Sequence, residues 1–398
     1  MIQSISLTNF LSYGGPTATG LELKPLNVVI GPNGSGKSNL IEALALLQSS
    51  PKALALPVRE GGGVRDWLWR GEAGTPVAKV ETVVSNPAGK MPLRYQFSFT
   101  EARQRFQLVD ERIENEFPHP GESDTYFYYR YENNHPVLNV KGTRRELRRE
   151  DVDPEQSILS QRKEPDQYPE ITYLGEAFSR IRIFREWFFG RSNPARTPQR
   201  ADLPNDFLNH DGSNLGLVLN NMRRSLLTKK KIIESLSALY DGIEDYEVII
   251  EGGTTQVFLQ EKAFLIPATR LSDGTLRYLC LLAILCHPTP PPLVCIEEPE
   301  LGLHPDVIPS IARLLVEASE RTQLIVTTHS DVLVDAMSEV PENVVVCEKA
   351  PSGSTLRRLD AMTLKPWLEK YRLGELWTRG EIARAHRDPA DTGASKSH

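Results

Sequence analysis

Residues 31–38, GPNGSGKS, decide how the rest of the chain is interpreted. They fit the pattern GxxxxGK[ST] without a gap, after an apolar run, Leu26–Ile30, and before residues 38–48, whose apolar side chains recur at helical spacing. A buried strand, this loop and a helix are typical of a P-loop, in which backbone N–H groups and the helix N-terminus surround phosphates. The pattern therefore predicts phosphate binding on an α/β fold.

The loop also assigns roles to its side chains. Lys37 is expected to neutralise the β- and γ-phosphates of ATP, and the Ser38 hydroxyl is expected to coordinate Mg²⁺. A glycine-rich turn without a nucleotide is the alternative, but such a turn has no use for adjacent Lys and Ser. The expected nucleotide contacts are Asn33, Gly34, Ser35, Gly36, Lys37, Ser38 and Asn39.

Further along the chain, two carboxylates follow an apolar run at residues 293–296. Ligands of open α/β sheets bind at the carboxyl ends of strands, and consecutive strand residues point in different directions. Glu297 is therefore expected to serve the Mg²⁺ shell, and Glu298 to orient or deprotonate the attacking water. A solvated acidic strand end is the alternative.

Two smaller signals lie on either side of these carboxylates. His329 ends another apolar run and could donate a hydrogen bond to the γ-phosphate. Ser272 and Gly274 precede an apolar helical segment, where they could form a second anion site, although the same residues also suit an ordinary N-cap.

Composition limits the class of protein. The 398 residues are 40% hydrophobic and 25% charged, with a formal net charge of −6, which excludes disordered, collagenous, membrane-embedded and uniformly basic proteins. The four cysteines have no metal or redox spacing and are interpreted as buried free thiols in a reducing cytosol. With no signal-peptide pattern and no long apolar stretch, a cytoplasmic location without membrane contact is expected.

The motifs and their order resemble those of ABC-type ATPases. LSDGT at 271–275 looks like the family signature, EEPELGLHP at 297–305 looks like Walker B running into the D-loop, and TTHS at 327–330 looks like the switch-histidine loop. The opening SLTNFLSY and GPNGSGKSNL are similar to the SMC/RecF/RecN-like branch and to bacterial predicted ATPases related to the OLD-family head. LGELW at 373–377, followed by Gly380, also looks like that group of predicted ATPases. The resemblance covers residues 1–48 and about 261–380 well, and the middle loosely.

This resemblance implies a head-to-head dimer, or a higher homo-oligomer, around two ATP molecules. Each P-loop would be closed by Ser272 and Gly274 of the partner subunit. It also implies a glutamine that senses Mg²⁺, for which Gln161 is the candidate, Gln156 the alternative, and a plain surface glutamine nearly as consistent. The sequence departs from the family at Asp273 and Thr275 in the signature and at Glu297 in Walker B, and an OLD-type nuclease domain is not expected.

The expected fold is an ABC-type α/β P-loop head with an antiparallel β lobe and an inserted helical lobe. The head would occupy residues 1–140, with P-loop and β lobe, and 241–384. Residues 141–240 would form the charged, mainly helical insertion, with helices at 173–188, 214–226 and 229–240. Residues 385–398 would form a disordered tail.

Residues 141–231 contain 18 Lys+Arg and 13 Asp+Glu. The basic clusters are Lys141/Arg144/Arg145/Arg148/Arg149, Arg180/Arg182/Arg185 and Arg223/Arg224/Lys229/Lys230/Lys231.

Two functions remain open at this point. The first is an ATPase that acts on or senses DNA, in repair or anti-phage defence, with the basic clusters following phosphates; solvated helix faces are the alternative for these clusters. The second is an ATP-dependent regulatory switch that gates a partner effector, such as a nuclease or toxin, with Trp67/Trp69 and 187–189 as candidate contacts. A transporter ATPase is less consistent with the large middle segment.

Overall fold

The computed structural model describes residues 1–15, 17–71, 75–89, 91–132, 135–140, 143–146, 153–185 and 190–382. The chain divides into two compact units. The first contains residues 1–24, 29–181 and 345–358, and the second contains 25–28, 182–344 and 359 onward. The expected insertion at 141–240 does not form a unit of its own, because its residues up to 181 belong to the first unit and those from 182 to the second.

The strands are β1 (Ile2–Thr8), β2 (Thr19–Glu22), β3 (Leu26–Ile30), β4 (Ala78–Val84), β5 (Leu93–Ala102), β6 (Arg105–Asn115), β7 (Phe127–Glu132), β8 (His135–Val140), β9 (Thr143–Glu146), β10 (Arg182–Phe184), β11 (Gln199–Arg200), β12 (Ile243–Glu251), β13 (Thr254–Glu261), β14 (Phe264–Pro267), β15 (Leu293–Glu297), β16 (Gln323–Thr327), β17 (Val344–Ala350) and β18 (Gly353–Arg358). The helices are α1 (Lys37–Ser49), α2 (Leu56–Glu60), α3 (Val64–Trp67), α4 (Ile158–Gln161), α5 (Pro169–Ser179), α6 (Leu215–Met222), α7 (Leu226–Leu239), α8 (Asp273–Leu285), α9 (Ile308–Ser319), α10 (Asp331–Asp335), α11 (Ala361–Leu368) and α12 (Leu373–Thr378).

The first unit is built on an antiparallel sheet with the order β2-β1-β4-β5-β6-β7-β8-β9. From β4 onward, each strand pairs with the next one in the sequence, which is the pattern of a meander of hairpins. Aromatic side chains fill its buried face: the rings of Phe99 and Phe106 stack 4.9 Å apart, and Phe97 lies 6.4 Å from Phe99. The predicted antiparallel β lobe is confirmed.

The second unit contains parallel strands. β10 pairs with β15, and β15 with β16, with every residue of β16 buried, as expected for strands that helices cover on both faces. The Leu324 N–H donates to the Pro25 carbonyl at 2.7 Å, beside the start of β3. The hairpin β12–β13 turns at Gly252 and Gly253, whose φ values of 56° and 76° are those of a type I′ turn.

One predicted helix, at 173–188, is wrong in its second half. α5 ends at Ser179, and Arg182–Phe184 forms the short strand β10, with Ile183 opposite Cys295 of β15. Three residues carry too little periodicity to distinguish a strand from a helix, and pairing with β15 decides the outcome.

Trp67 is 2% exposed, with its ring 5.8 Å from that of Phe10, so it is a core residue rather than a partner contact. Residues 187–189 and 385–398 lie outside the described residues.

The cysteines behave as the sequence suggests. All four are free and buried, and burial raises the thiol pKa of Cys280 to about 12 and of Cys286 to about 11. Within the described ranges, no group of three or more His, Cys, Asp or Glu side chains could hold a metal ion. Over the same ranges, the structure contains no helix whose length and apolar character would allow it to cross a bilayer.

Candidate functional site

The P-loop of the first unit leaves a helix N-terminus open for an anion. α1 begins at Lys37 after the N-cap residue Gly36, which has a φ of 112°. No side chain caps this end, and the first turn contains no acidic residue. The first-turn N–H groups therefore have no side-chain acceptor, and the helix dipole places partial positive charge at the same point.

Two glycines are required by close approaches of the backbone. A Cβ at Gly31 would lie 2.2 Å from the Cys347 carbonyl oxygen, and one at Gly36 would lie 2.6 Å from the Ser12 and Ser354 hydroxyls. By contrast, a Cβ at Gly34 would meet nothing within 4 Å. The base of the loop is thus tightly packed, while its tip is open.

The side chains of the loop take three different positions. Lys37 is 5% exposed, and its Nζ donates to the Gly31 and Pro32 carbonyls at 2.8 and 3.1 Å, so the ammonium group lies across the loop. Ser38 and Asn33 are exposed. Asn39, another predicted nucleotide contact, is engaged within the protein, because its side-chain amide donates to the Ser12 hydroxyl at 2.7 Å.

Residues distant in sequence hold the loop from behind. The Tyr13 hydroxyl donates to the Gly36 carbonyl at 2.8 Å, and the Cys347 thiol to the Ser35 carbonyl at 3.2 Å. Ser354 donates to the same Ser35 carbonyl. Burial raises the pKa of both Tyr13 and Cys347, so both remain protonated donors. Sequence reasoning missed all three. Tyr13 lies 23 residues from its acceptor, and Cys347 and Ser354 lie more than 300 residues from theirs, so none of these contacts leaves a local pattern.

The second unit brings two predicted catalytic residues together. The Glu298 Oε1 lies 3.5 Å from the His329 Nε2, and both side chains are partly exposed, at 40% and 35%. Glu298 has a φ of 46°, a left-handed conformation that is uncommon for a residue with a side chain. Its N–H donates to the Thr327 carbonyl at 2.9 Å, and the Arg277 guanidinium donates to its carbonyl at 3.1 Å. Burial lowers the pKa of Arg277 to about 10, and Glu300 and Glu298 oppose this shift.

Glu297 has a different environment. Its Oε2 lies 3.7 Å from the Nε of Arg185, just after β10, and only 18% of its side chain is exposed. The two adjacent carboxylates therefore have different partners, as their alternation along the strand predicts. Arg185 was seen in the sequence only as part of a basic cluster; in the structure it balances the charge of Glu297.

The signature segment, residues 271–275, begins α8. Ser272 is the exposed N-cap, and its hydroxyl accepts from the Thr275 N–H at 3.0 Å. A Cβ at Gly274 would lie 3.0 Å from the Gly302 carbonyl oxygen, so this position requires a glycine or a shift of the neighbouring loop.

The Asp273 carboxylate of this segment has a cationic partner. It pairs with Arg196, a buried side chain that also donates to the Leu271 carbonyl. The charge that departs from the family signature is thus offset by a residue 77 positions away, for which the sequence gives no signal.

The two candidate glutamines make local hydrogen bonds. The Gln161 amide donates to the Gln156 carbonyl at 3.1 Å and accepts from the Asp153 N–H at 3.1 Å. The Gln156 amide donates to the Asp153 carboxylate at 3.1 Å. Both carboxamides are therefore engaged within residues 153–161.

The last basic cluster is largely balanced by acidic side chains. Lys229 pairs with Asp245 at 2.6 Å, Lys230 lies 3.7 Å from Glu234, and Lys231 pairs with Glu317. From the first cluster, Lys141, Arg148 and Arg149 lie outside the described residues, as do the side chains of Arg144 and Arg145.

Residues 26–335 match the AAA_21 family, described as "AAA domain, putative AbiEii toxin, Type IV TA system". Similar curated proteins include "Chromosome partition protein Smc" of Mycobacterium tuberculosis, 35% identical over 98 residues, or 24% of this chain and 8% of that protein. "Structural maintenance of chromosomes protein 4" of Caenorhabditis elegans is 50% identical over 44 residues, or 11% of this chain and 3% of that protein. The chain therefore matches less than a tenth of the length of these relatives.

Solved structures show the same fold over most of the chain. The SMC head bound to the C-winged helix domain of ScpA has a TM-score of 0.58 and 16% identity, covering 91% of this chain and 98% of that one. The SMC head with an extended coiled coil, bound to the C-terminal domain of ScpA from Pyrococcus furiosus, has a TM-score of 0.56 and 13% identity, covering 93% and 98%. The chain belongs to the AAA_21 family, and its fold is that of an ABC-type, SMC-like ATPase head.

Proposed function

We propose that this protein binds Mg-ATP and hydrolyses it to ADP and phosphate. The observation that carries the proposal is the uncapped N-terminus of α1 behind the P-loop, with the Lys37 ammonium held at the loop and no acidic residue in the first turn. Loop amides and Lys37 bind the phosphates, and the open tip at Gly34 leaves space for them.

Hydrolysis is assigned to the second unit. Glu298 orients or deprotonates the attacking water, and His329 donates to the γ-phosphate. The left-handed backbone at Glu298 supports this role, because such strain is concentrated at functional sites. Ser38 and Glu297, both oxygen donors that suit Mg²⁺, would hold the ion, which neutralises charge on the β- and γ-phosphates. The local hydrogen bonds of Gln161 favour a structural role for that side chain.

We further propose that ATP joins two copies of the chain. The exposed Ser272 at the start of α8 and the glycine at 274 would close the P-loop of the partner subunit. The pairing of Asp273 with Arg196 supports this, because it offsets a negative charge that would otherwise repel the γ-phosphate.

DNA is the first proposed partner, through Arg223 and Arg224 of the third basic cluster. A specific observation favours the second candidate, a regulatory switch: the three lysines of that cluster are paired with carboxylates and are less available for phosphates. The family description, which names a toxin–antitoxin system, is consistent with an effector partner. ATP turnover that rises with DNA in a salt-dependent way supports the first candidate, and a stoichiometric co-purified protein without DNA supports the second.

Calorimetric titration with Mg-ATP tests the binding step. Lys37→Ala should abolish measurable ATP binding, because it leaves the phosphates with backbone dipoles alone. Lys52→Ala, an exposed lysine just beyond α1, is the matched control and should bind as the wild type does. Unchanged affinity in Lys37→Ala would contradict the P-loop assignment.

A further inference from the structure

We propose that Glu300 is a positioning residue that fixes His329 relative to Glu298. The proposal rests on the hydrolytic role assigned above. It concerns two loops of the second unit: residues 298–303, which follow β15, and residues 327–330, the switch loop, at the end of β16. β15 and β16 are parallel neighbours with Glu297 opposite Thr327, so the loops leave the same edge of the sheet side by side.

One carboxylate oxygen joins the loops at two points. The Glu300 Oε1 accepts from the Thr328 hydroxyl at 2.6 Å and from the His329 N–H at 3.0 Å. Thr328 is fully buried, and its hydroxyl oxygen in turn accepts from the Ser330 N–H at 3.0 Å. Glu300 thus holds the main chain of His329 directly and the residues on either side through one threonine.

This tie lies where the β-sheet bonding ends. The last backbone bond between the two loops joins the Glu298 N–H to the Thr327 carbonyl, two residues before His329. Beyond it, the 3.5 Å separation of the Glu298 Oε1 and the His329 Nε2 depends on contacts made by the loops themselves. Hydrogen bonds to a carboxylate are about twice as strong as neutral ones, so Glu300 is suited to hold this separation.

The carboxylate of Glu300 also has a nearby cation. Arg277 on α8 is 5% exposed, interacts electrostatically with Glu300, and donates to the Glu298 carbonyl. Glu300 thus bonds to the main chain of His329, and Arg277 bonds to the main chain of Glu298; neither contact involves the nucleotide.

A misplacement of about 1 Å in a catalytic group can cost about 10²-fold in rate. Glu300→Ala should therefore lower kcat about 10- to 100-fold and change KM by less than about threefold, because the P-loop is untouched. Glu300→Gln keeps an oxygen acceptor for Thr328 and His329 and should restore most of kcat. Thr328→Val removes one of the two donors to Glu300, so its kcat should lie between those of Glu300→Ala and the wild type. Thr328→Ser keeps the hydroxyl and should resemble the wild type.

A double-mutant cycle on steady-state ATP hydrolysis decides between positioning and general stability. If Glu300 acts through His329, Glu300→Ala should add no loss of kcat in the His329→Ala background. Wild-type kcat in Glu300→Ala, or its full effect persisting without His329, would overturn the inference. A wild-type protein that hydrolyses no ATP would contradict the proposed function instead. If Glu300→Ala unfolds in a thermal melt, the cycle is run with Thr328→Val, and the same two outcomes decide.

Discussion

Arg196 controls the charge of the signature segment, because its guanidinium pairs with Asp273 and donates to the Leu271 carbonyl. Replacing Arg196 with Met keeps the apolar stem and removes the donor from both the Asp273 carboxylate and the Leu271 carbonyl. Removing a charged donor costs about 1–3 kcal/mol. The Glu298→Gln protein, which should bind ATP without hydrolysing it, is the background in which ATP-dependent dimerisation is measured. Adding Arg196→Met to it should weaken dimerisation about 10- to 100-fold. Analytical ultracentrifugation with and without ATP measures this.

The rescue and the control belong to the same experiment. Asp273→Gly removes the unbalanced carboxylate and should restore much of the dimer in the Arg196→Met protein. Arg191→Met, on the same loop but exposed, should have no effect. Dimerisation that is insensitive to Arg196→Met would show that Asp273 does not face the nucleotide.

Residues that stand in a local sequence pattern could be identified as candidates, and residues that make contacts between distant segments could not. Lys37, Ser38, Glu298 and His329 stand in contiguous motifs. Arg196 and Ser354 make their contacts only after distant segments pack together, and Asn39, although inside the motif region, is engaged by Ser12. A salt bridge or a single hydroxyl donor has no periodicity that would reveal it in advance.

At the scale of elements, Glu111 joins β6 to the start of α4. Its fully buried carboxylate accepts from the Tyr95 hydroxyl at 2.8 Å, from the Ser157 hydroxyl and from the Ile158 N–H at 3.0 Å, and burial raises its pKa to about 7. Folding favours the neutral carboxyl, so its contribution to stability is complete below about pH 4.5 and is lost as pH rises through about 7.

This shift corresponds to about 3 kcal/mol between the two limits. The thermal midpoint of the wild type should therefore be lower at pH 8.5 than at pH 5.5. Glu111→Gln, which has the same shape and no titration, should reduce that fall. Differential scanning calorimetry at the two pH values gives the comparison, and an identical fall in both proteins would contradict the assignment of the titration to Glu111.

The region around α7 carries the DNA prediction. Each cation that leaves a phosphate contact should reduce the salt slope of DNA binding by about 1. Because Lys229, Lys230 and Lys231 are paired with acids, the Arg223→Ala/Arg224→Ala protein should lose about 2 from the slope, and the triple lysine variant should lose less. Fluorescence anisotropy over a salt series measures both, and an unchanged slope in the arginine variant would make this cluster a solvated surface.

Elements with long or regular patterns were predictable and short ones were not. The apolar run Leu26–Ile30 was predicted as a strand, and β3 has these same bounds. β10 has only three residues, and its assignment depends on pairing with β15, which no window of sequence contains. The division of the chain between residues 181 and 182 likewise follows packing, which no window of sequence contains.

At the scale of the whole molecule, the two units divide the expected chemistry between them. The first carries the P-loop, and the second carries Glu298, His329 and the signature segment. The order of motifs along the chain was sufficient to predict an ABC-type head, and the match to the family and to SMC heads confirms it. The partner depends on surfaces rather than motifs, which is why DNA and an effector protein remain separate proposals.

Phosphate release by Glu298→Gln, measured beside the wild type, tests the central claim most directly. The substitution keeps the shape and the Lys37 cradle but removes the carboxylate that orients or deprotonates water. General acid–base catalysis contributes about 10²–10⁴-fold, so hydrolysis should fall by that factor while calorimetric ATP affinity is kept. A wild-type rate in Glu298→Gln, or a wild-type protein with no hydrolysis above that of Lys37→Ala, would contradict this account.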